Sequence, residues 1–448
     1  MRTLTLIASL LLVLGTACGN DTNNTPKDTG PGKDTTKPPD GDSGPPPNAT
    51  LQFLPKPVDN ARAGEYTGIS SGGGKIAVAY YRNLDQTAWP TVTCPATFSG
   101  GGGPKARPGH DVMYSESTDG GVTWSTPVMA AQSVGAVHGL SIALTSAGAA
   151  HIGYLGGEMS LQECASSDAY IASSNDGVAW TTQMLDSAGA IGDTVGHWIS
   201  VAIDGSGQPQ AAYRDVRFGL YEQTGNSKSS LRYSATEAVL NNGSGLFTRL
   251  QFKADGTPII MHFNPHQTDG TGGIQLVVQQ GSTWSGKQLV AGGTSERPDF
   301  AGDGNGTWGL AYYEPSATSL HYIESSDLTS WSQPIIVDIS TTKNGEFASL
   351  AFDSKGNPGI SYYRCGPASS PGSSCEPSED GLMFAYRLNG TWKTYEVDTG
   401  GSYTCGDHTA LTFNDKDEPV IAYRCVTLKN AGNEFVDTLK VARGFWKQ

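Results

Sequence analysis

Histidine, carboxylate, arginine and tyrosine recur at two fixed places in the pattern of this chain. Just before a series of short apolar runs stand Glu65, His138, His197, Arg297, Glu346 and the pair Asp407-His408. Just after the run that follows each of them stand Tyr80-Tyr81-Arg82, Tyr154, Tyr213-Arg214-Asp215, His262 with His266, Tyr312-Tyr313-Glu314, Tyr362-Tyr363-Arg364 and Tyr423-Arg424. Imidazole and carboxylate together suit a divalent metal. Guanidinium forks suit a carboxylate ligand, which they grip with two parallel hydrogen bonds. Each type also has a plainer role. A tyrosine closing every unit packs against a neighbour with its hydroxyl satisfied, an arginine beside it pairs with a nearby carboxylate, and polar groups lining a channel bond water and backbone. The string Gly68-Ile69-Ser70-Ser71-Gly72 fits Gly-x-Ser-x-Gly but lies inside a strand-like run and not at a strand-to-helix turn, and no His-Glu-x-x-His helix motif occurs, so serine-hydrolase and zincin chemistry have no local signature here.

The elements that must position these residues are strands in a repeat. The unit is a strand ending in an apolar-Asp pair, a Gly-x-Pro turn, a strand ending in Tyr, a third strand, and a Trp-led fourth. Clear copies are Ser200–Asp204 with Pro209–Tyr213, Ser349–Asp353 with Pro358–Tyr363, and Ala410–Phe413 with Pro419–Tyr423. Third strands read Leu382–Tyr386, Leu320–Ile323 and Leu231–Ser234, with the period-two alternation of strands. Inner strands open near Tyr66, Gly139, Trp198, Phe247, Pro298, Phe347 and Thr409, which counts seven units. Fourth strands are expected from Trp124, Trp180, Trp284, Trp331 and Trp392. The seventh unit ends at Trp446-Lys447-Gln448 with almost no fourth strand, while Leu51–Val58 is an orphan strand near the start.

The octet Ser117-Thr118-Asp119-Gly120-Gly121-Val122-Thr123-Trp124 resembles the Asp-box of sialidase-type β-propellers, and looser copies run Ser174–Trp180 and Ser325–Trp331. Asp and Gly permit a tight turn whose side chain bonds backbone N–H groups, and Trp pins it to the next strand. The structural box residues are thus Ser117, Asp119, Gly121, Trp124, Asp176, Trp180, Asp327 and Trp331. The resemblance implies an all-β β-propeller of four-stranded antiparallel blades. Seven blades are counted, with six as the alternative because sialidases proper have six. The orphan N-terminal strand is expected to supply the missing outer strand and close the ring.

In such a fold the loops before first strands and after second strands share one face, opposite the Asp-boxes. The resemblance therefore gathers a ligand-binding set at one mouth: His138, His197, Glu346, His408, Arg82, Arg214, Arg364, Arg424, Tyr81, Tyr363 and, from a long loop, Trp89. His138, His197 and Glu346 take equivalent positions and are expected to meet over the central channel, where a divalent metal is the one cofactor the pattern admits. The catalytic roles of sialidases do not carry over: the Arg-Ile-Pro motif is missing, and Arg62-Ala63-Gly64 does not replace it. The six cysteines beyond Cys18 allow 15 pairings, and loop placement in the resembled fold leads to the expectation of Cys94 with Cys164, Cys365 with Cys375 and Cys405 with Cys425. Clamped long loops fit a shaped recognition surface or simple stabilisation of an exported domain.

Composition agrees with this class. The chain has 448 residues, 58 Gly, 25 Pro and only 16% charged residues, a profile of short strands and turns. A net charge of -14 with no basic stripe excludes nucleic acid as the expected partner. Met1-Arg2 and the apolar run Leu4–Leu14 read as a signal peptide over residues 1–17, too short to span a bilayer. Leu14-Gly15-Thr16-Ala17-Cys18 resembles a bacterial lipobox with Cys18 as the acylated residue, although Gly15 replaces the usual branched residue and simple cleavage after Ala17 is the alternative. Residues 18–49 then form an Asp/Thr/Pro/Gly tether without apolar content, followed by one domain over 50–448. The expected whole is an exported lipoprotein held at the bacterial outer membrane or cell surface by its lipid alone. It recognises a glycan or an envelope or extracellular protein through the mouth. The alternative is a glycoside hydrolase or lyase using mouth His, Tyr, Arg and carboxylates, and a structural envelope role is a third reading.

Overall fold

The computed structural model describes residues 49–448 apart from 99, 159–163, 189–191, 217–228, 235–236, 241–243, 266–271, 293–296, 341, 367–379, 400–403 and 430–433. The expected signal peptide, Cys18, almost all of the expected tether, His266 and Cys375 lie outside the described residues. No helix among the described residues is long and apolar enough to cross a membrane.

Seven four-stranded antiparallel sheets form a ring, a seven-bladed β-propeller. Blade I comprises Ala63–Gly72, Lys75–Asn83, Gly109–Ser117 and Val128–Val134, from the axis outward. The inner strands of blades II to VII are Leu140–Leu144, Thr194–Ile203, Leu246–Phe252, Asp299–Gly302, Asn344–Phe352 and Cys405–Phe413. Blade VII takes its outermost strand from the other end of the chain: Thr50–Asp59 pairs antiparallel with Glu434–Lys447, from Thr50 opposite Lys447 to Asp59 opposite Leu439. The expected orphan strand and the count of seven both hold. Outer strands start less regularly than the tryptophans indicate: those of blades I and V begin at Val128 and Ile335, four residues beyond Trp124 and Trp331.

The apolar residues explain the ring. Second strands such as Ile76–Tyr81 are buried at every position, because both faces of a blade are covered by neighbours. The buried side chains accordingly fall into seven clusters, each between two successive blades. Polar staples run through the same interfaces. Ser141, Ser200 and Ser349 Oγ accept from Val201, Leu250 and Leu411 N at 2.7, 3.0 and 3.0 Å, each in the following blade. Asp299 does the same for Leu350 N at 2.7 Å while binding Arg249 of the preceding blade.

The second-strand tyrosines form another staple. Tyr80, Tyr213 and Tyr423 donate to Asp59, Asp186 and Asp398 at 2.8, 3.1 and 2.6 Å, and Tyr362 donates to Asp338. Each acceptor is in the outermost strand of the preceding blade. Such bonds to a carboxylate contribute about 1.5–3 kcal/mol each. At the opposite end from the inner-strand starts, Asp119, Asp176 and Asp327 close the turns between third and fourth strands. Asp119 Oδ1 accepts from Val122 and Thr123 N at 3.0 and 2.9 Å, and Ser117 Oγ accepts from Gly121 N at 2.9 Å. The turns at Asp176 and Asp327 repeat this arrangement.

Candidate functional site: the axial mouth

The mouth is built by a distortion repeated in the inner strands. In five blades pairing with the second strand slips within the first few residues, at Glu65/Gly68, His197/Ser200, Leu246/Arg249, Glu346/Ser349 and Asp407/Ala410. Such bulges re-aim side chains. Within or beside each slip one residue takes a left-handed backbone: Tyr66, Trp198, Phe247, Phe347 and His408, with φ of 51, 55, 52, 53 and 49°. Arg297 (φ 39°) and Gly139 (φ 82°) occupy the same place in blades V and II, so all seven blades contribute one such residue. A bulky residue there costs on the order of 1 kcal/mol or more and persists only where its surroundings hold it.

The strain brings aromatic rings together around the axis. Tyr66 lies 4.6 Å from His408 and 5.6 Å from Trp198, Trp198 lies 4.6 Å from Phe247, and Phe347 lies 5.0 Å from His408, centroid to centroid. Trp198 reaches across the place where blade II has only Gly139, whose absent Cβ would fall 2.6 Å from the Trp198 Cα. All of these rings but the more buried Tyr66 are half-buried. Below them a cavity lined by Ser141, Thr248, Asp299, Ser349 and Thr409 among others has ≈ 20 Å³, room for about one water. The mouth is therefore a cup with an aromatic floor.

The polar residues divide. His138 and His197 stand side by side, ring centroids 4.8 Å apart. Their carboxylate neighbour is Glu158, from the loop after the second strand of blade II, 3.4 Å from His138 Nε2. This corrects the expected trio: Glu346 is 4% exposed and held by Lys343 Nζ at 3.1 Å, outside the group that His138 and His197 form. Tyr66 Oη meets His138 Nδ1 at 3.3 Å. Burial holds His197 and His408 well below the ordinary histidine range, reinforced at His197 by His138 and Arg214 and at His408 by Arg297 and Arg424. Asp407 is pushed up to about 6, because burial outweighs the one guanidinium it shares with Asp437.

The arginines do not form a free carboxylate grip. Arg82 binds Asp111 at 2.7 Å, Arg364 binds Glu396 at 2.7 Å, and Arg424 bridges Asp407 and Asp437 at 2.9 and 2.8 Å. Arg214 donates to Ser229 Oγ at 3.0 Å and burial lowers it to about 10. Tyr81 and Tyr363 belong to the packing. Tyr81 is fully buried with its hydroxyl on the Leu155 and Gly139 backbone, and Tyr363 donates to buried Asp380. His262 is fully buried beside the start of the blade IV inner strand, where its Nδ1 accepts from Gly245 N at 3.4 Å. Trp89 is half-buried in the long blade I loop, where its indole N–H donates to Leu84 O at 3.3 Å. That loop is tied to the blade II loop by the Cys94–Cys164 disulfide, and Cys405–Cys425 joins adjacent strands of blade VII. The expected partner of Cys365, Cys375, is outside the described residues.

What went unrecognised in the sequence was the floor itself and Glu158. The signal for the floor was present as Gly-x-ring: Gly64-Glu65-Tyr66, Gly196-His197-Trp198, Gly245-Leu246-Phe247, Gly345-Glu346-Phe347 and Gly406-Asp407-His408. The glycine passes against the preceding blade. A Cβ on Gly406 would sit 2.6 Å from Leu382 N. Glu158 has no local signal, since only the fold brings its loop to His138.

The fold and site define a seven-bladed β-propeller with an aromatic cup on its axis. No family model and no curated protein matches the chain. Among solved structures, a protein of unknown function from Dyadobacter fermentans aligns at 11% identity over 87% of this chain and 99% of its own, with a TM-score of 0.49. The NanB sialidase of Streptococcus pneumoniae aligns at 12% over 86% of this chain and 69% of its own, TM-score 0.44. The intramolecular trans-sialidase of Ruminococcus gnavus aligns at 12% over 86% and 95%, TM-score 0.41.

Proposed function

We propose that this protein is a non-catalytic recognition propeller that binds a glycan in its axial cup, displayed at the bacterial surface through acylated Cys18 and the tether. The carrying observation is the ring of bulky residues in left-handed backbone, Tyr66, Trp198, Phe247, Phe347 and His408. A domain that needed only a packed axis could place small residues there without strain, so a strained aromatic floor fits a preformed ligand platform. Aromatic faces take the apolar faces of sugar rings, while rim imidazoles and carboxylates take the hydroxyls. Recognition is favoured over hydrolysis because Arg82, Arg364 and Arg424 are committed to internal carboxylates.

The test is a glycan array probed with residues 49–448 and with the Trp198→Ala variant. Retention on one glycan class, lost at least tenfold in Trp198→Ala, is the expected result. A blank array would overturn the glycan reading in favour of a protein partner. One observation favours the hydrolase alternative: Asp407, raised to about 6, has the acidity of a general acid. Turnover of aryl glycosides that disappears in Asp407→Asn would establish that alternative.

A further inference from the structure

We propose that His138, His197 and Glu158 form a binding site for a borderline divalent transition ion of the zinc class, with an open coordination position facing the cup. Each of the three side chains offers one ligand atom, and these atoms all lie within 4.8 Å of one another. Tetrahedral zinc with bonds near 2.1 Å needs its ligands roughly 3.4 Å apart, so side-chain rotation of about 1 Å would close the set. The donor chemistry is selective. Two imidazole nitrogens and one carboxylate oxygen suit zinc, cobalt or nickel and disfavour calcium and magnesium, which prefer all-oxygen shells.

Two further observations point to a ligand. The Nε2 of His197 is buried and has no hydrogen-bond partner among the described residues, an unmet polar group that a bound ion would satisfy. The His138 ring is oriented from behind, with Tyr66 Oη at Nδ1 leaving Nε2 directed to Glu158, the outer-shell arrangement that metal-binding imidazoles use.

Glu158 is delivered by an over-determined backbone. Gly157 has φ +115°, and a Cβ there would fall 1.4 Å from Val134 O. Gly156 N–H donates to Asp168 O at 2.8 Å, while Val134 N–H donates to Gly156 O at 3.2 Å. The next cysteine in the chain, Cys164, anchors this loop to Cys94. The side chains of His138 and Glu158 remain 36% and 29% exposed, so a bound ion would keep a position for water or a ligand hydroxyl. Arg214 pairs in register with His197, and its positive charge opposes a cation and weakens the site. The site does not require the glycan reading, since its occupancy is measured without any sugar.

The experiment uses the untagged mature chain, stripped with chelator and titrated with zinc sulfate by calorimetry, with cobalt(II) as a spectroscopic probe. One equivalent of zinc per chain is expected, together with the intense visible bands of tetrahedral cobalt. Glu158→Gln should weaken zinc at least tenfold and His197→Ala should abolish it, while melting in chelator stays at the wild-type value for Glu158→Gln. Glu158→Gln tests the site even where His197→Ala fails to fold. Absence of stoichiometric zinc would overturn the proposal. So would zinc binding that Glu158→Gln leaves unchanged.

Discussion

At the scale of single residues, buried titratable groups set the pH response. His110 and His262 are both lowered to about 4 by burial, from the ordinary 6.5. Between these values the unfolded chain binds more protons than the folded one. Their stabilisation is therefore complete above pH 6.5 and is lost as pH falls toward 4, by up to roughly 3 kcal/mol each. His197 and His408 act in the same direction. Asp407 has the opposite sign: raised to about 6 from 3.8, it holds its proton in the folded state longer, so its contribution weakens stability as pH rises from 4 to 6. Four histidines outweigh one carboxyl, and urea unfolding should give lower stability at pH 4.5 than at pH 7. Higher stability at pH 4.5 would contradict this balance, and His262→Gln should flatten the slope.

At the scale of elements, the blade interface is held by the tyrosine–aspartate staples and the close glycine passages. Tyr362→Phe removes the hydroxyl donor to Asp338 Oδ2, leaving only the Ile339 N–H on that carboxylate among the described residues, and should cost about 1–3 kcal/mol, read as a lowered midpoint in denaturant. Gly406→Ala should cost at least about 2 kcal/mol, because φ is +105° and the new Cβ meets the Leu382 backbone. Gly390→Ala is the control: φ is +77° but nothing lies within 4 Å, so only the backbone term of about 1 kcal/mol is expected. Equal costs for the two would remove the packing argument. Strand alternation, turn glycines and the closing Tyr made the blades legible, since each is a local demand of a four-stranded sheet. The arginines and tyrosines at the second-strand ends were legible in place but not in role. Which carboxylate each one meets depends on blades separated in sequence, as with Tyr423 and Asp398. The aromatic floor was hidden for a related reason: its glycines and rings sit where a strand seems merely to begin, and only the seven-fold arrangement turns them inward.

At the scale of the whole molecule, closure joins the two ends of the described chain. Removing residues 50–59 should leave the Glu434–Lys447 strand with an unpaired edge and expose Val441 and Ala442, which are almost fully buried. The expected result is concentration-dependent association, seen by light scattering and reversed by adding a peptide of residues 49–60. A monodisperse deletion variant would show that the strand is dispensable. For the proposed anchor, Cys18→Ser should move the protein from the membrane fraction to the soluble fraction. An unchanged distribution would exclude lipidation at that residue.

The pairing of Thr50 with Lys447 also makes the last stretch of chain a test of completeness. These partners are among the most distant in the sequence, so their contact is among the slowest to form. A nascent or truncated copy that stops before Glu434 has a first strand with nowhere to zip, and it carries that strand as a sticky flag for proteases and chaperones. Only a copy that extends through Lys447 pairs the whole strand.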